Sequence, residues 1–526
     1  MANATLLALI NIAAEQTAIS EPISVRTMLL YLLAFAIFYV ANKASLQKAN
    51  QFMQERLGLL RIRIAGKIQQ SSLRTLETLD HGRIYSTLSQ EMNHFSHHFT
   101  LLSSAAQSLV LLLLCLIYIA FLSLVAFFLV TGATSLALFY FWRRRQALTE
   151  AMVSVNTHES NMLGSLQNYI EGFQEIRLHA DKNEALHGRF KGIVNGLERV
   201  LVGIGGKWVV LLLFSNAFLY FLVGIVVFIL PLFFQGYTDT VYKIVTASIF
   251  LVGPVSAVTS AAPIFVKANI GLAHVFELER NLERGLDVSA AANLAPEDTF
   301  RDFKTITLED IQFSYRDYDN VPTFTAGPWK LDIQRGECLF LMGGNGSGKS
   351  TALKLISGLY DGDNGQILVD GAPVHRNAQP AYRALFSCIF PDFYLFDQLY
   401  GLRDVDPEKV SELIRWMQLE DKVTFADNRF STQDLSTGQR KRLAMIVSLL
   451  EDREIYLFDE WAADQDSHFR EIFYTEILPK LKEAKKTVLV VTHDDRYWHL
   501  CDRSITLDIG VMTQGASASP QAGGPD

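Results

Sequence analysis

Long runs of apolar residues fill the first half of the chain. Leu101–Trp142, Trp208–Thr238 and Ile244–Val266 contain no charged side chain, and Met28–Ala41 is a shorter run of the same kind. A membrane span needs about 20 apolar residues, so the first run predicts two helices joined by a tight turn near residues 122–124. One charge at mid-bilayer costs about 2.5–3.5 kcal/mol, and repeated charge-free runs therefore favour a membrane domain over a buried soluble core.

The N-terminal segment Ala2–Ala14 is apolar but short. A helix of this length spans only about 20 Å, less than the hydrocarbon layer of a bilayer. We interpret it as the outer end of a truncated first span, which gives about six spans. The alternative is a chain of five spans with its N-terminus outside.

Polar segments at 43–100 and 143–205 separate the apolar runs. Leu163, Leu166 and Ile170 recur at helical spacing, which predicts that the spanning helices continue beyond the membrane and turn back through short helices. Basic residues are frequent just after Ala41, and Arg143, Arg144 and Arg145 follow the longest run. These residues predict that both segments are cytoplasmic.

Composition changes near residue 283. Residues 1–301 carry a net charge of +3 and residues 302–526 a net charge of −11. The acidic second half argues against nucleic acid as a partner. We predict a transmembrane domain at 1–282, a linker at 283–300, an α/β nucleotide-binding domain at 301–512 and a disordered tail at 513–526.

The segment Gly343–Thr351 follows a predicted strand, Leu339–Met342, and reads GGNGSGKST. It matches G-x-x-x-x-G-K-[ST], in which glycines let the backbone amides face phosphate oxygens. Lys349 brings a cation to the β- and γ-phosphates, and the Ser350 hydroxyl is placed to ligate Mg²⁺. The candidate phosphate-binding residues are Gly343, Gly344, Asn345, Gly346, Ser347, Gly348, Lys349, Ser350 and Thr351.

Further candidates lie at the ends of other predicted elements. Glu454–Glu460 predicts a strand ending in two carboxylates: Asp459 is expected to hold Mg²⁺ and Glu460 to polarise the attacking water. His493 follows the predicted strand Val488–Thr492 and is expected to contact the γ-phosphate. Tyr315 ends the predicted strand Ile306–Tyr315 and can stack on adenine.

A second anion-binding surface is predicted where Asp434–Gln439 (DLSTGQ) opens the helix Arg440–Leu450. It cannot reach its own Gly343–Thr351 loop if both lie at opposite ends of one sheet. It is therefore expected to face a second copy of the chain.

Together these motifs resemble those of the ATP-binding cassette (ABC) transporters, and the spans resemble the exporter type. The resemblance implies that Gly343–Thr351 is the Walker A loop and that Asp459 and Glu460 are the Walker B pair, with Glu460 catalytic. It also implies the following roles: Tyr315 stacks on adenine, Ser436, Gly438 and Gln439 form the signature that completes the partner's ATP site, Asp466 closes the D-loop, and His493 is the switch histidine.

One position departs from the family pattern. Pro391 stands where the family usually has a glutamine that senses Mg²⁺, and it offers neither a side-chain acceptor nor an N–H group. Asp392 is the candidate to replace it as a metal ligand, and the alternative is coupling through the neighbouring aromatic residues.

The segments FDEWAADQD, LFLMGGNGSGKST and IFPDFYLFDQLYG resemble the exporter branch for cyclic peptides, lasso-type microcins and pyoverdine- or syringomycin-type products. That resemblance implies ATP-driven export of a peptide-like product by a homodimer in the bacterial inner membrane, with ATP and Mg²⁺ as cofactors and the ATP domain in the cytoplasm. The alternatives are a multidrug or lipid exporter of the same fold, and a membrane ATPase regulator or channel that moves no solute.

Overall fold

The computed structural model describes residues 5–6, 8–10, 12–13, 25–228, 238–287, 294–317, 321–402 and 405–514. The chain divides into a helical unit, Met1–Gly66 with Leu79–Asn281, and a nucleotide-binding unit, Lys67–Thr78 with Leu282–Asp526. The short segment Lys67–Thr78 thus clusters with the second unit, although the prediction placed it in the membrane domain. We call it the docking segment.

Long helices, with short ones between them, form the first half of the chain. Their bounds are Val25–Gln69, His81–Ser86, Met92–Leu122, Leu124–Glu171, Phe173–Leu178, Ala180–Phe228, Thr238–Phe250 and Val252–Arg284. The 48 residues of Leu124–Glu171 span about 72 Å, more than twice the hydrocarbon thickness of a bilayer. The helices therefore continue past the apolar runs, and Phe173–Leu178 is one of the short turn-back helices that the polar segments predict.

The tight turn expected near 122–124 lies at Ser123. Its backbone is extended (φ −161°, ψ 122°), and its hydroxyl accepts a hydrogen bond from the Ala126 N–H, which caps the next helix. The predicted run Ile244–Val266 is divided at Leu251 between two helices. Residues 229–237, the end of another predicted run, lie outside the described residues.

Within the described residues, three stretches are long and apolar enough to cross a membrane: Val25–Gln69, Ile84–Leu122 and Lys243–Arg284. Leu124–Leu136 is a shorter apolar helix segment. Cys115, Ile119 and Val226 belong to the buried apolar cluster of this unit. The helical membrane-type domain is as predicted, and the total of six spans stays a prediction.

The second unit contains twelve strands among its described residues. They are β1 Thr305–Arg316, β2 Pro322–Gln334, β3 Cys338–Met342, β4 Asn364–Val369, β5 Ala372–Pro373, β6 Phe386–Ile389, β7 Phe425–Ala426, β8 Arg429–Phe430, β9 Ile455–Asp459, β10 Thr487–Val491, β11 Arg503–Asp508 and β12 Val511–Gln514. Its helices are Leu73–Thr78, Lys349–Ile356, Gln379–Arg383, Pro407–Trp416, Thr437–Glu451, Ser467–Ile472 and Leu478–Glu483.

The sheet order explains where the site forms. The central sheet runs β12-β11-β3-β10-β9-β6, and β3, β10, β9, β6 and β11 are parallel. Every residue of β9 and β10 is buried, as expected for central parallel strands covered on both faces. Because β3, β10 and β9 are neighbours, the residues that follow each of them meet at one sheet edge.

An antiparallel sheet, β2-β1-β4-β5, packs its apolar side chains with those of the central sheet. Its strand β1 carries Tyr315 toward the same region. The last strand ends at Gln514, so residues 513–514 are part of a strand and not of the predicted tail. Residues 515–526 lie outside the described residues, as do residues 288–293 of the predicted linker.

A candidate nucleotide-binding site

The Gly343–Thr351 loop has the backbone that its glycines allow. Gly343 has φ +146°, and a Cβ atom there would lie 2.2 Å from the Leu507 carbonyl oxygen. Gly348 has φ +101° and precedes the helix Lys349–Ile356. Only glycine adopts these conformations without strain. The loop ends directly at the N-terminus of this helix, a position where anions bind.

Lys349 is buried, and its amine lies between the loop and a carboxylate. The Nζ atom donates to the carbonyl oxygens of Gly343 at 3.1 Å and Gly344 at 2.9 Å, and it lies 3.9 Å from Glu460 Oε1. A buried ammonium group needs such partners to offset its desolvation. The geometry places a fixed positive charge at the end of β3 beside the end of β9.

Asp459 ends β9 and is almost fully buried. Burial raises the pKa of Asp459, while the nearby Ser350 side chain and the Lys349 ammonium oppose that rise. Among the described residues, its Oδ2 atom has no hydrogen-bond partner.

An unsatisfied buried acceptor costs about 1–3 kcal/mol, and oxygen ligands of this kind suit Mg²⁺. Ser350 and Asp459 therefore fit the predicted metal. Asp392, the third metal candidate, is exposed in the turn after β6.

Glu460 and His493 form a second pair at this edge. The Glu460 backbone is left-handed (φ 51°), and its carboxylate Oε1 lies 3.2 Å from His493 Nε2. Both side chains are partly exposed, whereas Lys349 beside them is not. A carboxylate held by an imidazole and open to solvent can orient a water molecule.

Tyr315 closes the other side of the loop. Its hydroxyl lies 3.3 Å from the Thr351 hydroxyl and 3.4 Å from the Tyr360 hydroxyl, and its ring packs edge-on against Phe313. About a third of the residue stays exposed (36%). Tyr315 is therefore packed against its neighbours and still partly exposed beside the loop.

The signature residues lie elsewhere in the unit. The Ser436 hydroxyl accepts from the Gln439 N–H and the Gln439 side chain accepts from the Ser436 N–H, a capping box that starts the helix Thr437–Glu451. This cap explains why the helix begins three residues before the predicted Arg440.

Gly438 lies against the segment after Glu460, because its carbonyl oxygen accepts from Gln465 Nε2 at 3.1 Å. Asp466 accepts from the Phe469 N–H at 2.9 Å and caps the helix Ser467–Ile472. The structure thus brings Lys349, Ser350, Asp459, Glu460 and His493 together and leaves the signature residues and Asp466 outside that group.

The docking segment makes contacts that no motif predicts. Arg74 reaches Asp363 Oδ1 and the Ser314 carbonyl oxygen, each at 3.0 Å, and its guanidinium lies over the Phe313 ring. In the sequence, Arg74 is one of several basic residues in a polar segment, and no motif identifies it as a contact residue.

Glu77 of the same segment accepts from Lys354 Nζ at 2.7 Å and from the Tyr360 hydroxyl. Tyr360 in turn contacts Tyr315, and Tyr315 contacts Thr351. Burial and the Glu77 carboxylate raise the pKa of Tyr360 above its ordinary value. A chain of hydrogen bonds thus joins the docking segment to the loop.

Comparison with known proteins agrees with this arrangement. Residues 327–463 match the family model "ABC transporter". The chain is 38% identical over 298 residues to "ATP-binding protein SyrD" of Pseudomonas syringae pv. syringae, covering 55% of this chain and 53% of that protein. It is 31% identical over 193 residues to "Nod factor export ATP-binding protein I" of Cupriavidus metallidurans, covering 34% of this chain and 62% of that protein.

Among solved structures, a bacterial Atm1-family ABC exporter with ATP bound has a TM-score of 0.78 at 18% identity, covering 98% of this chain and 93% of that one. This likeness shows the fold. The chain thus has the ABC exporter fold and carries an ABC-type ATP-binding domain, as predicted. It spans about half to three fifths of the length of the two curated relatives.

Proposed function

We propose that this chain is half of an ATP-driven exporter that moves a peptide-like product across the bacterial inner membrane. The observation that carries the proposal is the group formed by Lys349, Asp459, Glu460 and His493 at one sheet edge. These side chains supply the positive charge, the metal ligand and the water-orienting carboxylate that phosphoryl transfer needs.

In this mechanism Lys349 and the loop amides hold the β- and γ-phosphates. Glu460 orients and polarises the attacking water, and His493 holds the Glu460 carboxylate at 3.2 Å. Mg²⁺ bound by Ser350 and Asp459 would supply charge stabilisation for the phosphate oxygens. Positioning and charge account for most of the rate in such reactions.

The second copy of the chain enters through the signature. Gly438 contacts Gln465 in the segment after Glu460, and Ser436 and Gln439 cap the same helix; none of the hydrogen bonds described for these three residues reaches the Gly343–Thr351 loop. We infer that each signature completes the ATP site of its partner in a homodimer. Such a dimer binds ATP differently in its closed and open states, which lets ATP shift the helices.

The docking segment is the proposed route to those helices. It is continuous in sequence with Val25–Gln69 on one side, and Arg74 and Glu77 join it to β1, Lys354 and Tyr360 on the other. Closure of the ATP sites would move the segment and so the apolar helices that it connects.

The cargo class rests on similarity of sequence. The branch-like segments at 389–401 and 458–466 favour a cyclic peptide, lasso-type microcin or siderophore precursor over drugs or lipids. Basic residues after Ala41 and at 143–145 favour a cytoplasmic ATP domain.

The test compares two variants of the full chain in lipid nanodiscs. Glu460→Gln should lower Mg²⁺-dependent phosphate release by about 100-fold or more while ATP still binds. Glu483→Gln is the matched control, because that exposed carboxylate ends the helix Leu478–Glu483 away from the site. Equal phosphate release by wild type and Glu460→Gln would refute the catalytic assignment.

Inverted membrane vesicles then test transport. Wild-type vesicles should accumulate a cyclic lipopeptide or a pyoverdine-type peptide when ATP is added, and Glu460→Gln vesicles should not. Equal accumulation would refute the exporter role, and phosphate release without any uptake would favour the regulator or channel.

A further inference from the structure

Lys441 is a buried lysine that none of the sequence motifs assigns. It lies in the helix Thr437–Glu451 and is only 2% exposed. Its ammonium donates to the backbone carbonyl oxygen of Glu460 at 2.8 Å and pairs with Asp464 Oδ2, also at 2.8 Å. Burying an ammonium group is costly unless it is paired, so these two contacts determine where the side chain lies.

Two further hydrogen bonds join the same helix to the same segment. Trp461 Nε1 donates to the Lys441 carbonyl oxygen at 2.9 Å, and Gln465 Nε2 donates to the Gly438 carbonyl oxygen at 3.1 Å. Trp461 is buried as well. The segment 460–465 is thus held to the start of the helix from both directions.

The contact with Glu460 falls on a strained residue. Glu460 is left-handed (φ 51°), a conformation that costs a non-glycine residue about 1–2 kcal/mol. The direction of its carboxylate, and hence its 3.2 Å contact with His493, follows from that backbone. The Lys441 hydrogen bond holds the carbonyl oxygen of this same peptide.

We propose that Lys441 is a positioning residue for the reaction, which fixes the backbone of Glu460 so that its carboxylate faces the attacking water. This inference rests on the proposed ATP hydrolysis. The hydrogen bond and the ion pair described for the Lys441 ammonium go to Glu460 and Asp464 and not to the nucleotide loop. Lys441 therefore acts through these two residues. The same contacts link the signature residue Gly438 to the segment that follows the catalytic carboxylate.

The experiment uses the full chain in nanodiscs and measures kcat and KM for ATP separately. Lys441→Met keeps the unbranched stem and removes the charge, and it should lower kcat about tenfold with KM changed less than about threefold. Lys330→Met, an exposed lysine on β2, is the matched control and should match wild type.

Two companion variants test whether the effect runs through the named contacts. Asp464→Asn should lower kcat less than Lys441→Met, and the pair together should be no worse than Lys441→Met alone. In a Glu460→Gln background, adding Lys441→Met should change the residual rate by less than about twofold, because the positioned carboxylate is already gone.

The outcomes separate the two proposals. A wild-type chain without phosphate release overturns the proposed function. Wild-type release with an unchanged kcat in Lys441→Met overturns only the positioning role, as does a loss confined to KM. If Lys441→Met fails to fold, Asp464→Asn decides, and an unchanged kcat there overturns the inference.

Discussion

Tyr315 allows a sharp test, because its ring and its hydroxyl have separable contacts. The ring packs against Phe313 at a centroid distance of 5.0 Å and leaves part of its surface exposed. The hydroxyl contacts Thr351 and Tyr360. Tyr315→Phe removes only the hydroxyl, whereas Tyr315→Ala removes both.

The expected magnitudes differ between the two variants. Stacking of a base on an aromatic ring contributes about 1–3 kcal/mol, so Tyr315→Ala should weaken ATP binding roughly 5- to 150-fold. The hydroxyl distances of 3.3 and 3.4 Å are long for O–H···O bonds, and the loss in Tyr315→Phe should stay below about 1 kcal/mol, or about fivefold.

The assay is equilibrium binding to the full chain in nanodiscs, with ATP and with inorganic tripolyphosphate. Tripolyphosphate has no base, so its affinity should be the same in all three proteins. An equal loss for both ligands in Tyr315→Ala would refute stacking, since it would mean that the loop itself had changed. A loss in Tyr315→Phe as large as in Tyr315→Ala would assign the effect to the hydroxyl.

Three further predictions concern the loop, the metal ligand and the docking segment. Gly343→Ala places a Cβ atom 2.2 Å from the Leu507 carbonyl oxygen, so ATP affinity measured by equilibrium dialysis should fall about 100-fold or more; unchanged affinity would contradict the loop assignment. Burial raises the pKa of Asp459, so the folded protein favours the protonated carboxyl group. Folding stability therefore falls as pH rises from the unfolded-state pKa of this group through its folded-state pKa. Asp459→Asn should therefore raise the melting temperature of the nucleotide-free protein at pH 7 and remove the Mg²⁺-dependent part of its stabilisation by ATP, and a lower melting temperature would contradict this. Glu77→Gln weakens the contacts with Lys354 and Tyr360, and it should lower peptide uptake per ATP hydrolysed in inverted vesicles severalfold while phosphate release stays within about twofold of wild type; unchanged uptake would contradict the route through the docking segment.

Much of the site could be predicted because its chemistry is local in sequence. Gly343–Thr351 contains both the glycines that its backbone requires and the lysine–hydroxyl pair, and strand ends such as Asp459 identify a sheet edge without any three-dimensional information. Ser436 and Gln439 also follow from sequence, because a capping box depends on a spacing of three residues.

The contacts that escaped prediction join residues far apart in the chain. Lys441 meets Glu460 across 19 residues, and Glu77 meets Tyr360 across 283 residues. No periodicity or motif encodes such a pair, because each partner alone reads as an ordinary charged or polar residue. Asp466 differs from these pairs because its contact is local. Sequence similarity indicates a role in the D-loop, whereas the structure shows its carboxylate accepting a hydrogen bond from the Phe469 N–H and capping a helix.

Pro391 and the docking segment together bear on how the ATP site could communicate with the apolar helices. Pro391 is exposed and lacks both an N–H group and a side-chain acceptor, so it cannot make the hydrogen bonds of a glutamine.

The path from Glu77 through Tyr360 and Tyr315 to Thr351 uses hydroxyl and carboxylate groups only and does not pass through residue 391. It passes through Tyr315, the residue expected to contact adenine, and its Glu77 end lies on a segment continuous with a membrane-type helix. A path of this kind would respond to whether a base is bound, whereas a glutamine near the metal responds to Mg²⁺. The substitution at 391 and the hydroxyl path therefore favour the same interpretation, in which coupling depends more on the aromatic side of the nucleotide than on its metal.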